Sequence, residues 1–191
     1  SFQAGSTMPL IRRDTDTSTD KGPAPTDASA QLRDANPDVR WQAARALAQQ
    51  PEAHATLALA LDTETSPQVR EAIFTSLVQI GTDASARAAA AFIRSDDAAL
   101  RAGALDALAA MPAPVERLLP DLLADADADV RLLSCELARA LEPDVATRML
   151  GAMLQAEREI NVCGAAVAVL AEVGTEAAVA PMLACKARFP G

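Results

Sequence analysis

The sequence predicts an all-α chain wound as a solenoid, and three observations carry that prediction. An aliphatic-Arg pair returns at Val39-Arg40, Val69-Arg70, Leu100-Arg101 and Val130-Arg131, and once more, with the arginine lost, at Val162-Cys163. The first members are 30, 31, 30 and 32 residues apart, a period that marks a repeat array rather than one shared core. Composition points the same way: Ala, Leu, Arg, Glu and Gln dominate, aromatics are 3% and there is no Tyr, which favours helix over strand in nearly every window. Finally, breakers recur where a second helix must begin, at Pro51, Gly81-Thr82, Pro112 to Pro114, Pro143 and Gly174-Thr175. Each closes a first helix after about four turns.

In chain order, Ser1 to Thr7 reads as a cloning remnant ahead of Met8. Residues 8–26 are acidic and rich in Pro and Thr, with almost no apolar periodicity; such a composition cannot bury enough surface to offset chain entropy, so a disordered tail is expected. A plain spacer and a linear motif both remain open for it. Asp27 to Arg33 is predicted as a helical half-repeat whose Leu32 turns inward and shields the first full unit. Residues 27–191 then form one solenoid, with units near 34–62, 64–94, 95–125, 126–156 and 157–188.

The first helix of each of the first four units has a defined start. Asn36-Pro37, Ser66-Pro67, Asp97-Ala98 and Asp127-Ala128 stand three and two residues before the aliphatic position. A side-chain oxygen at the cap satisfies an orphan amide, while Pro at the first helical position loses no hydrogen bond and presets φ. Apolar or small residues follow at offsets 0, 4, 8 and 11, as in Val69, Ile73, Leu77 and Ile80, which places them on one stripe. Small members of the stripe let neighbouring helices approach closely. Second helices are expected near Glu52 to Leu61, Asp83 to Arg94, Val115 to Ala124, Asp144 to Ala156 and Glu176 to Ala187, with Pro120 kinking the third.

The motifs Asn36-Pro-Asp-Val-Arg40, Ser66-Pro-Gln-Val-Arg70 and Asp127-Ala-Asp-Val-Arg131 resemble HEAT-like repeats of the phycobilisome-lyase type. The resemblance covers nearly everything after the tail and implies a right-handed α-solenoid of about five HEAT-like antiparallel helix pairs. It also implies a scaffold for protein binding, with a minority of such proteins linked to bilin attachment. Unit five departs from the pattern, with Cys163 for Arg and Ile160-Asn161 for the polar-Pro start.

An acid precedes the aliphatic position by five residues at Asp34, Glu64, Asp125 and Glu157, Ser95 being the exception. Arg40, Arg70, Arg101 and Arg131 are therefore expected to bridge acids or loop carbonyls along one edge, as a structural ladder; anion recognition is the competing use of the same guanidiniums. Asp125, Asp127, Asp129 and Glu136 occupy places one, three, five and twelve of a calcium loop, but Val130 stands where such a loop needs Gly, and helix capping accounts for the acids. Cys135, Cys163 and Cys185 match no metal or redox spacing and read as buried free thiols. With His54 the only histidine, no Gly-rich phosphate loop and no nucleophile elbow, neither a metal, a cofactor nor a catalytic constellation is expected.

Net charge is −9. Residues 35–191 carry 13 basic against 21 acidic groups, so the repeat body itself is acidic and disfavours nucleic acid; HEAT-like DNA glycosylases need a cationic, aromatic groove that this composition lacks. No apolar run of membrane-spanning length and no signal core occur, so a cytoplasmic location without membrane attachment is expected. The leading expectation is a non-catalytic interaction scaffold, its second helices lining a concave face that receives a basic or amphipathic segment of a protein partner. Trp41, His54, Arg87, Arg94, Arg117 and Arg148 are the candidate contact residues, being long or aromatic and off the stripe. The alternative, a bilin or tetrapyrrole lyase or chaperone-like factor, follows from the resemblance alone.

Overall fold

The computed structural model describes residues 25–189, so the expectations for residues 1–24 lie outside the described residues. Within that span there are eleven α-helices and no strand. After α1 (Pro25–Gln31), first helices α2 (Pro37–Leu47), α4 (Pro67–Ile80), α6 (Ala98–Ala109), α8 (Ala128–Cys135) and α10 (Ile160–Val173) alternate with second helices α3 (His54–Thr63), α5 (Asp83–Ala90), α7 (Pro112–Leu123), α9 (Pro143–Ala156) and α11 (Val179–Arg188). Helix α1 starts two residues before the 27–191 boundary read from the sequence, and it packs on α2.

Two layers result. In one, α2 leans on α4, α4 on α6 and α8 on α10; in the other, α3 leans on α5, α5 on α7, α7 on α9 and α9 on α11. Between the layers lies a continuous core that includes Leu47, Leu57, Ile73, Leu77, Leu108, Leu119, Leu150 and Leu154, all but closed to solvent. The periodic stripe supplies one wall of that core, because offsets of three and four residues return to the same helix face. Truncating one of these leucines to Ala should cost about 2–5 kcal/mol. The body is thus a helical solenoid, each unit leaning on the next.

The caps follow the sequence with one correction. Asn36, Asp97 and Asp127 accept hydrogen bonds from the amides of Asp38, Ala99 and Asp129 at 2.8–2.9 Å. Ser66 makes no such bond. There Glu64 Oε1 takes the amides of Thr65 and Ser66 at 2.9 and 2.8 Å, so a carboxylate two residues upstream orders the turn instead. Gly81 closes α4 at φ +63°, a conformation that L side chains rarely adopt. Boundaries shift by a few residues elsewhere: α7 opens at Pro112 and runs through Pro120, and α8 passes into a 3-10 stretch over Glu136–Ala140. Among the described residues no helix is long and apolar enough to cross a membrane.

Candidate interaction grooves and the arginine edge

The edge where loops enter the first helices carries the arginines. Arg40 closes a two-pronged pair on the carboxylate of the next unit, with Nε and Nη2 donating to Glu64 Oε2 and Oε1 at 2.7 and 2.8 Å. Its Nη1 donates to the Asp34 and Ala35 carbonyls at 2.8 and 3.1 Å. Arg131 repeats the device three units later, donating to Glu157 at 2.7 and 3.0 Å and to the Asp125 and Ala126 carbonyls at 2.7 and 3.2 Å. Both glutamate side chains are 4% exposed. The Arg131 hydrogen bond holds Glu157 well below the usual carboxylate range, at about 2, and the bond from Arg40 lowers Glu64 likewise.

The middle units are built differently. Arg70 donates to the Glu64 carbonyl at 2.7 Å and, with Ser95 in place of an acid, reaches the Asp97 cap at 2.7 Å, whose side chain is 41% exposed. Arg101 donates to the Ser95 and Asp96 carbonyls at 2.7 and 3.0 Å and enters no ion pair among the described residues. Asp125, which stands in its unit where Glu64 and Glu157 stand in theirs, is taken by Arg94. At the arginine-less fifth unit, Arg188 of α11 donates to the Leu154 and Glu157 carbonyls, while Cys163 Sγ lies 3.9 Å from the latter.

Asp34, Asp125 and Asp127 spend a carboxylate oxygen on backbone amides two residues on, at 2.8–2.9 Å, which is turn capping. No group of three or more His, Cys, Asp or Glu side chains among the described residues could hold a metal ion. Cys135, Cys163 and Cys185 are buried and free. Burial pushes the Cys135 thiol up to about 12 and Cys163 to about 11, so both stay protonated and unreactive at neutral pH.

The six candidate contact residues spread over both layers instead of converging. Trp41, on first helix α2, is half-buried beneath Arg45, whose guanidinium sits 4.7 Å from the ring centroid. His54 opens α3 with Nδ1 3.0 Å from the Pro51 carbonyl. Arg94 is tied to Asp125, and Arg117 of α7 holds both oxygens of Asp83 on α5. Arg87 and Arg148 are exposed and enter no ion pair among the described residues.

Two open grooves flank unit three. The first, about 490 Å³, lies between α4 and α6, floored by Phe74, Val78, Gly103 and Ala107 and rimmed by Glu71 and Asp106. Phe74 stacks edge-to-face on Phe92 at 6.2 Å and fills the space over Gly103, where an added Cβ would stand 2.6 Å from its ring. Glu71 and Asp106 are exposed and unpaired among the described residues. The second groove, about 720 Å³, lies between α7 and α9 and draws Arg148 to its rim. The sequence carried a sign of both, in second apolar stripes such as Met149, Ala152, Met153 and Ala156, spaced for one helix face but off the core stripe.

Stacked helix pairs with an inter-unit arginine edge and grooves between neighbouring units define a helical repeat array. A family model described as HEAT repeats matches residues 27–109, from α1 through α6. No curated protein matches the sequence. Among solved structures the chain is similar to two engineered proteins, each at 17% identity, with TM-scores of 0.37 and 0.43, covering 85% and 87% of this chain and 85% and 88% of theirs. It is also similar to the complex of CpcE and CpcF of phycocyanin lyase from a Nostoc species, at 14% identity and a TM-score of 0.41, covering 95% of this chain and 100% of that one.

Proposed function

We propose that this protein is a non-catalytic interaction scaffold that receives a basic, amphipathic segment of a partner protein in the α4–α6 groove. The observation that carries this is the pairing of an apolar floor with two carboxylates, Glu71 and Asp106, that no arginine neutralises among the described residues. In a chain of net charge −9, groove-lining acids such as Asp34, Glu64, Asp125, Asp127 and Glu157 are matched by a guanidinium or a backbone amide, so free carboxylates beside this apolar surface favour a cationic occupant. The partner thus sits on the first-helix layer, not on the second-helix face that the sequence pointed to, where the exposed Arg87 and Arg148 would repel it.

Titration of the full chain with a synthetic helical peptide, leucines on one face and lysines on the other, tests the assignment. Binding should weaken by about tenfold or more in the E71K/D106K variant, and it should fall from low to high salt. Equal affinity of the variant and the unaltered chain would dispose of the site. A shift in bilin absorbance on mixing with the protein would replace the scaffold by a lyase or chaperone-like factor.

A further inference from the structure

The α7–α9 groove has the opposite electrical character, and the difference points to a second occupant. Along α9, Met149, Ala152, Met153 and Ala156 form a half-exposed stripe at i, i+3, i+4 and i+7, facing Pro120 and Leu123 of α7 across about 720 Å³. Alanines in such a stripe let another helix approach closely, and the unbranched methionines adapt their shape to what lies on them. The charges inside the groove are largely spoken for: Arg131 holds Glu157, and Arg94 holds Asp125. Arg148 and Arg158, both exposed, stand near either end of the stripe and enter no ion pair among the described residues; Glu159, at the α10 cap, is the rim carboxylate that also has none.

We infer that this groove binds an acidic amphipathic helix of a partner protein, its apolar face on the methionine stripe and its carboxylates on Arg148 and Arg158. From Arg148 to the end of α9 is eight residues of helix, roughly 12 Å, so the matching carboxylates stand about two turns apart on the incoming helix. Two separated guanidiniums with a linear apolar track between them fit a helix laid along α9. The site is on the other layer from the α4–α6 groove and does not depend on that groove's assignment.

The test is a selection on the full chain carrying E71Q/D106N, so that the α4–α6 groove exerts no charge preference of its own and the two assignments fail separately. The probe is a library of helical peptides with Leu fixed at i, i+3, i+4 and i+7 and Glu or Lys allowed at the flanking positions. Glu is expected to be enriched over Lys by about tenfold or more, the preference reversing when R148E/R158E is added. Both arginines are exposed, so the helical circular dichroism should be unchanged; Ala152→Trp, which fills the trough without altering charge, should abolish capture. No preference for Glu, or a preference that survives R148E/R158E, overturns the inference. So does Arg148-dependent binding of dodecanoate by a chain that captures no peptide, since that would make the groove a site for a small amphiphile.

Discussion

The junctions at the two ends of the solenoid and the junctions on either side of unit three are made from the same repeat, yet they are fastened differently. Between units one and two, and again between four and five, an arginine grips a buried glutamate with two prongs while its remaining amine reaches the loop carbonyls behind it. On either side of unit three the equivalent arginine finds a half-exposed cap aspartate, or carbonyls alone. The α4–α6 groove opens beside one of the looser junctions, whereas the α7–α9 groove reaches from the other to the Arg131–Glu157 clasp, which forms part of its lining.

The sharpest way to break the contrast is to remove one arginine from each kind of junction. Arg131→Ala strands Glu157 in a nearly closed site and should cost about 3–5 kcal/mol, whereas Arg101→Ala gives up bonds to two carbonyls and should cost about 1 kcal/mol. Urea unfolding of the two variants, compared with the parent, reads the difference directly; equal losses would show the clasp to be no stronger than the open junction.

Acid sharpens it next. With Glu157 at about 2 in the folded chain, below the usual value of about 4.3, its contribution is complete above pH 4.3 or so and is lost as pH falls towards 2. The unfolded chain binds the proton first, so stability declines with falling pH across that window. Glu157→Gln should flatten this decline, and unchanged steepness in the variant would assign it to other carboxylates.

Two glycines give a smaller contrast of opposite sign. Gly103→Ala pushes a methyl to 2.6 Å from a Phe74 ring that Phe92 braces, and should destabilise by about 1–2 kcal/mol after the gain in helix propensity. Gly164→Ala on α10 meets nothing within 4 Å and should stabilise by up to about 1 kcal/mol. Melting temperatures moving in the same direction would mean that the ring swings aside. Smallest of all, Ser95→Glu supplies the acid that unit three lacks and should draw Arg70 away from Asp97, adding about 0.5–1 kcal/mol. A neutral result would locate the looseness of that junction in its backbone spacing.

Much of this was legible in the residues. The spacing of Val39, Val69, Leu100, Val130 and Val162 gave the unit length, Pro37 and Pro67 the helix starts, and Gly81 a helix end, because caps and breakers act on their own backbone. The grooves were harder to find. Glu71 and Asp106 look like ordinary helix-surface acids, and only the packing of α4 on α6 puts them on the two rims of one trough. Arg94 and Arg117 looked free for a partner, but Asp125 and Asp83 lie 31 and 34 positions away in sequence and beside them in space.

The sequence by itself therefore determined what is local and periodic: helix, cap, break and the stripe that each unit turns toward its neighbour. Those depend on φ, on backbone hydrogen bonds and on residue spacing within about one turn. Only the tertiary structure decided which charges cancel and which stay free. Long side chains on adjacent units reach several candidate partners at similar separations, and burial of a carboxylate such as Glu157 comes from the stacking that brings Arg131 to it.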